Sequence, residues 1–151
     1  PRGKFLVFTR GEKEIQKAMR ALPNLYANSD FCVSTVGDLP SGKRLFDAIH
    51  FGCIPVIISD NVLLPFSGNY LNYSKFSIRI KEKDVDQLPQ IIEKISERTI
   101  RKMRTELYKA ARAFRFRMGQ PPSIGEGFWA ISWMWYIRHL YRLQNDFKYS
   151  I

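Results

Sequence analysis

A serine, two cations and a carboxylate fall within one short stretch: Ser41-Gly42-Lys43-Arg44, then Asp47. A polar loop, residues 34–42, leads into them and contains Gly37, Pro40 and Gly42. The apolar spacing of Leu45, Phe46, Ala48 and Ile49 predicts a helix that starts near Ser41 as N-cap and stops at Gly52. A helix start carries free backbone N–H groups and partial positive charge, so it favours an anion, typically phosphate. Lys43 and Arg44 in the first turn oppose that dipole by about 0.3–1 kcal/mol, a cost that a negative ligand relieves. Asp47 stands one turn further on. A carboxylate only accepts hydrogen bonds, which suits two vicinal hydroxyls such as those of a ribose. Anion first and diol one turn later is the layout of a nucleotide site in an α/β sheet. The same residues also admit a plain reading, with Ser41 a cap, Lys43 and Arg44 solvated, and Asp47 a surface partner of either cation. No glycine-rich Rossmann or P-loop pattern is present to separate the two.

The elements that must position these residues are short. Phe5 to Phe8 and Phe31 to Val33 read as buried strands, and Cys53 to Ile58 is the clearest one, with Pro55 best placed near its start. Phe76 to Ile80 alternates as a half-buried strand. Helices are expected from Glu12 to Leu22, ended by Pro23, and from Asp84 to Ile95, where Pro89 favours a start near Gln87. A basic helix follows from Glu97 to Arg117, and an aromatic one from Gly127 to Leu143 after the Pro121-Pro122 break. Strands alternating with helices imply a parallel α/β layer fold.

Composition bounds the rest. The chain has 151 residues, room for one domain with a sizeable core. Its 24 Lys and Arg exceed 14 Asp and Glu, and the resulting charge of +10 favours anionic partners. Collagen-like, coiled-coil and low-complexity classes are excluded by the scattered Gly and Pro and the lack of a repeat. No signal peptide and no apolar run long enough to span a bilayer is visible, and a chain beginning at Pro1 reads as part of a longer protein.

Four further features have bland explanations. Asp84-Val85-Asp86 matches a metal-holding DxD pattern, but Asp84 with Gln87 reads better as a capping box. Cys32 and Cys53 read as buried inert thiols, with a disulfide open in an oxidising compartment. His50 and His139 lack nearby ligand partners. Eight basic residues and one acid lie between Arg98 and Arg117; nucleic-acid binding is the rival reading, and a solvated face or one turned toward anions fits better.

Residues 29–80 carry a dense set of spaced matches. They include Ser29-Asp30-Phe31-Cys32, Gly37-Asp38-Leu39-Pro40-Ser41, Arg44-Leu45-Phe46-Asp47-Ala48-Ile49, Gly52-Cys53-Ile54-Pro55-Val56-Ile57-Ile58-Ser59-Asp60 and Leu64-Pro65-Phe66. In these the chain resembles the exostosin family of glycosyltransferases, in its plant-type cell-wall branch. The segments Phe5 to Gly11 and the helices to about Phe116 match more loosely. Relatives have a Pro-x-Gly-type loop where this chain has Ser34-Thr35-Val36, and a longer stretch where only Gly11 to Ser29 bridge the first strand and the second.

The resemblance implies the carboxyl-terminal, donor-binding lobe of a GT-B glycosyltransferase, with a Rossmann-like parallel sheet and trailing helices. Residues 1–117 would form that nucleotide-sugar lobe and 118–151 an aromatic helix packed on it, the amino-terminal acceptor lobe being absent. The implied activity is inverting transfer from a UDP-sugar to a polysaccharide or glycoprotein glycan, and an isolated lobe can bind the donor and still be inert. Carried onto this chain, Arg44 contacts the diphosphate, Asp47 the ribose, and Ser41 and Gly42 lend the helix start to phosphate beside Lys43. Arg10 and Gly11 meet the diphosphate from the other side. No catalytic base, no metal and no cofactor beyond the donor is expected. The implied partners are a nucleotide sugar, a glycan acceptor and the missing lobe, without nucleic acid. The implied location is the lumenal side of the Golgi membrane, with a type II anchor outside this chain. The alternative is a non-catalytic basic module that binds RNA or an acidic glycan.

Overall fold

The computed structural model describes residues 3–6, 21–35, 43–68 and 70–116, with positions 121, 124, 126–127, 131–132, 134–136 and 138–139. Four strands form one sheet: β1 (Gly3–Leu6), β2 (Ser29–Thr35), β3 (Ile54–Ile58) and β4 (Ile78–Ile80). They lie side by side in chain order, and every pairing is parallel. This bears out the α/β reading. The order does not reverse among the described strands. Phe31 pairs with Ile54 and Cys32 with Pro55, which places Phe31 and Ile54 on one face and Cys32 and Pro55 on the other. All five residues of β3 are buried, as a parallel strand covered on both faces requires.

The helices are α1 (residues 21–27), α2 (Lys43–Phe51), α3 (Leu88–Glu93) and α4 (Glu97–Ala111). Leu45 and Ile49 of α2, and Ile100 and Leu107 of α4, join Phe31, Ile54 and Val56 in the main core. α2 packs on β2, on β3 and on α4. It ends at Gly52, whose φ of 75° is the left-handed conformation that glycine adopts without a Cβ penalty. There Cys53 N–H donates to Ala48 O at 2.9 Å and Gly52 N–H to Ile49 O at 3.4 Å, the paired bonds of a Schellman stop.

Several boundaries differ from expectation. The described part of the first strand is Gly3–Leu6, and Val7 to Gly11 lie outside the described residues. β2 runs to Thr35, two residues past the expected end, because its pairing with β3 continues to Ile58. The expected stop at Pro23 is not present: residues 21–27 are helical, with Pro23 in the first described turn, where it is tolerated, and Tyr26 buried in a cluster with Cys32, Ala48 and Cys53; residues 12–20 of the expected helix lie outside the described residues. The strand expected from Phe76 is shorter, since Tyr73–Lys75 forms a 3-10 turn and β4 begins at Ile78.

The Asp84 capping box does not form. Glu82–Gln87 is a 3-10 segment with Lys81 at its N-cap, and α3 follows with Pro89 in its first turn, where a missing N–H costs nothing. α4 stops at Ala111 and tightens into a 3-10 turn, Arg112–Phe114, rather than running to Arg117. Its start is capped by Ser96, whose Oγ accepts from Thr99 N–H at 3.3 Å. Of the expected aromatic helix, 127, 131–132, 134–136 and 138–139 are helical; its other positions lie outside the described residues.

The inert-thiol reading of Cys32 and Cys53 is wrong. The two are joined in a disulfide, with Cα atoms 5.8 Å apart. Phe31 pairs with Ile54, so Cys32 in β2 and Cys53 just before β3 flank that pair, and their separation lies within bridging range.

Candidate functional site

In a parallel sheet all carboxyl ends lie along one edge, and ligands of α/β proteins bind outside that edge. Here the edge is marked by Thr35 at the end of β2, Ser59 and Asp60 after β3, and Lys81 after β4. α2 begins on the same edge. Arg44 Nη1 donates to Thr35 Oγ1 at 3.1 Å, so the guanidinium is held at the mouth of β2. Lys43 Nζ donates to both oxygens of Asp47, at 3.0 and 2.7 Å. The lysine side chain is 80% exposed and the aspartate 24%. The surface pairing of Asp47 with a neighbouring cation is therefore present, and it is of the exposed kind that contributes little to stability.

Tyr26 was not singled out by sequence reasoning. Its ring stacks on Phe51, with centroids 5.9 Å apart, beneath α2. Burial pushes its hydroxyl up to about 12; the Asp47 carboxylate adds to that rise and the Arg44 guanidinium opposes it. Arg44 and Asp47 thus act on one hydroxyl, and the guanidinium and the acid share a neighbourhood. A lone tyrosine in a helix gives no sequence signal of this kind. Phe46, beside Asp47, meets Phe114 edge-on at 5.6 Å, and Phe114 meets Phe66 at 5.2 Å. This aromatic chain ties α2 to the turn after α4 and to the segment after β3.

A hollow of about 520 Å³ lies along the same edge, lined by Ser59, Asp60, Arg79, Lys81 and Lys83. Asp60 Oδ1 accepts from Glu82 N–H at 3.3 Å, and Arg79 Nη2 donates to Val62 O at 2.8 Å. These residues were missed as site candidates; the available signal was their position directly after, or at the end of, predicted strands. Of the candidate donor residues, the structure brings Lys43, Arg44 and Asp47 together. Arg10, Gly11, Ser41 and Gly42 lie outside the described residues. Among the described residues no group of His, Cys, Asp and Glu is arranged to hold a metal ion, Asp84 and Asp86 included. No helix among them is long and apolar enough to cross a membrane.

Residues 5–95 match the model of the exostosin GT47 domain, more than half of the chain. The chain belongs to the exostosin GT47 family. Among curated proteins, this exostosin-family chain is 35% identical over 98 residues to the probable glucuronosyltransferase GUT1 of Oryza sativa subsp. japonica, a match that covers 65% of this chain and 23% of that protein. It is 37% identical over 91 residues to the probable arabinosyltransferase ARAD1 of Arabidopsis thaliana, covering 58% of this chain and 20% of the relative. The probable beta-1,4-xylosyltransferase IRX10 of the same plant is 33% identical over 98 residues, covering 65% and 24%. The exostosin matches thus span about a quarter of each relative or less. The relatives are plant glycosyltransferases, which supports a transferase of that type.

Proposed function

We propose that this chain is the donor-binding, carboxyl-terminal lobe of a GT-B glycosyltransferase, and that it holds a UDP-sugar for inverting transfer to a glycan. The observation that carries the reading is the grouping of Arg44, Lys43 and Asp47 where β2 hands over to α2, inside the exostosin match. Arg44, already anchored on Thr35, and Lys43 meet the diphosphate. By the family resemblance, Ser41, Gly42, Arg10 and Gly11 are assigned to the diphosphate as well. Lys43 leaves Asp47 for the phosphate at small cost, since an exposed pair one turn apart is worth about 0.3–0.5 kcal/mol. Both oxygens of Asp47 then accept from the ribose hydroxyls.

In transfer, an acceptor hydroxyl attacks the anomeric carbon and UDP departs with the bonding pair. This lobe stabilises the charge growing on the diphosphate through the two cations. The base that takes the acceptor's proton is assigned to the other lobe, outside this chain. The Cys32–Cys53 disulfide supports an oxidising compartment, in keeping with the Golgi lumen and a membrane anchor elsewhere in the protein.

The test is calorimetric titration of the chain with UDP. Arg44→Ala and Asp47→Ala are each expected to weaken binding by about tenfold or more, the loss of a charge-assisted contact. Unchanged affinity in both variants refutes the assignment.

A further inference from the structure

The basic charge of α4 is not used by the donor site. Segment 70–76 runs alongside this helix, and two adjoining hollows lie between them, of about 390 and 480 Å³. Both are lined by Lys75 and Glu106. The first adds Lys109 and Arg112, and the second adds Lys102. All four cations are exposed, while Glu106 is half-buried and is the one acid in either lining. From Lys102 to Arg112 the helix advances about 15 Å, so the hollows form an elongated groove rather than a pocket for a single ion. None of its lining residues is a candidate donor residue.

Two features define what such a groove accepts. Cations spaced along one helix fit anions spaced along a chain. A carboxylate in their midst repels a dense run of phosphates, but it accepts hydrogen bonds from hydroxyls. Glu106 is ionised in that role: its contact with Lys109 Nζ at 2.6 Å holds its carboxyl below the usual range. The walls also supply hydroxyl and amide groups, from Asn72 in the first hollow and from Ser74 and Thr99 in the second. Carboxylates interleaved with hydroxyls on every unit describe a glycan of uronic-acid units.

We propose that the groove between segment 70–76 and α4 binds an acidic glycan, with Lys75, Lys102, Lys109 and Arg112 meeting sugar carboxylates and Glu106 a sugar hydroxyl. Binding there is independent of the donor.

The experiment titrates the 151-residue chain with a short oligogalacturonate, with a neutral xylo-oligosaccharide and with single-stranded RNA of equal charge. The acidic glycan binds most tightly of the three, and its affinity falls as salt rises. Lys75→Gln with Lys109→Gln weakens it by about tenfold, the loss of two charge-assisted contacts. Arg98→Gln with Arg101→Gln removes the same net charge outside the groove and changes affinity by about twofold or less. Asp47→Ala leaves glycan binding unchanged, so a failed donor assignment does not touch this result. Circular dichroism confirms that each variant is folded. No binding of oligogalacturonate, equal or tighter binding of RNA, or an equal loss in both double variants overturns the proposal.

Discussion

At the amino end of β2, Asp30 is buried and forms an ion pair with Arg104 of α4, whose side chain is 20% exposed. Arg104 Nη2 also reaches Ser29 O at 3.4 Å. At the carboxyl end of the same strand, Arg44 reaches the Thr35 hydroxyl among the described residues, and Lys43 holds Asp47 in a solvated pair. The residue types are alike and the burial is not. A charge pair shielded from water cannot lose a partner without leaving the other stranded, so it fixes α4 to the sheet. A pair in water exchanges partners cheaply, so it can give way to a ligand. The strand is thus clamped at one end and exchangeable at the other, and the family's donor chemistry is proposed for the exchangeable end.

Removing the clamp should show the largest effect. Arg104→Ala is expected to cost about 3–5 kcal/mol, because Asp30 stays buried without its partner. The measure is the urea midpoint, and a change as small as that of an exposed pair would erase the distinction between the two ends. Next comes the disulfide: replacing Cys32 and Cys53 together by serine should cost about 3 kcal/mol for a loop of this length. Thermal unfolding with and without reductant reads the same quantity in the unaltered chain.

The third effect depends on pH. The Tyr26 hydroxyl ionises near 10 when unfolded and is raised to about 12 in the folded chain. Its contribution is whole below pH 10 and is lost as the pH rises toward 12, since the unfolded state releases its proton first. Tyr73, buried and donating to Pro65 O at 2.9 Å, is raised as well and acts in the same direction. Tyr26→Phe should flatten part of the alkaline decline in the urea midpoint. Thr35→Val tests the exchangeable end more finely. It frees Arg44 and should weaken UDP binding by about threefold, at unchanged stability. Smallest of all, Lys43→Ala should move the urea midpoint by an amount equivalent to about 0.5 kcal/mol or less.

The elements that position the site were legible where local chemistry agrees with the fold. The α2 stop at Gly52 follows from glycine's access to positive φ, and Ile54–Ile58 from an apolar β-branched run. What was not legible depends on register and long-range packing. The disulfide rests on how β2 and β3 align, which a separation of 21 residues does not reveal. Asp84 fails as a cap because the chain enters α3 through a 3-10 segment, and no local pattern forecasts that. In the candidate site, the Arg44 and Asp47 neighbourhood was expected, whereas Thr35 and Tyr26 come from other elements and carry no spacing signal of their own.

The brevity of β4 has a bearing on solubility. It contributes three residues at the margin of the described sheet and is succeeded at once by Lys81 and Lys83. A second molecule offering its own margin there finds little ladder to extend and meets ammonium groups of its own sign. The same lysines that make the neighbouring hollow cationic therefore also discourage sheets from zipping together across copies.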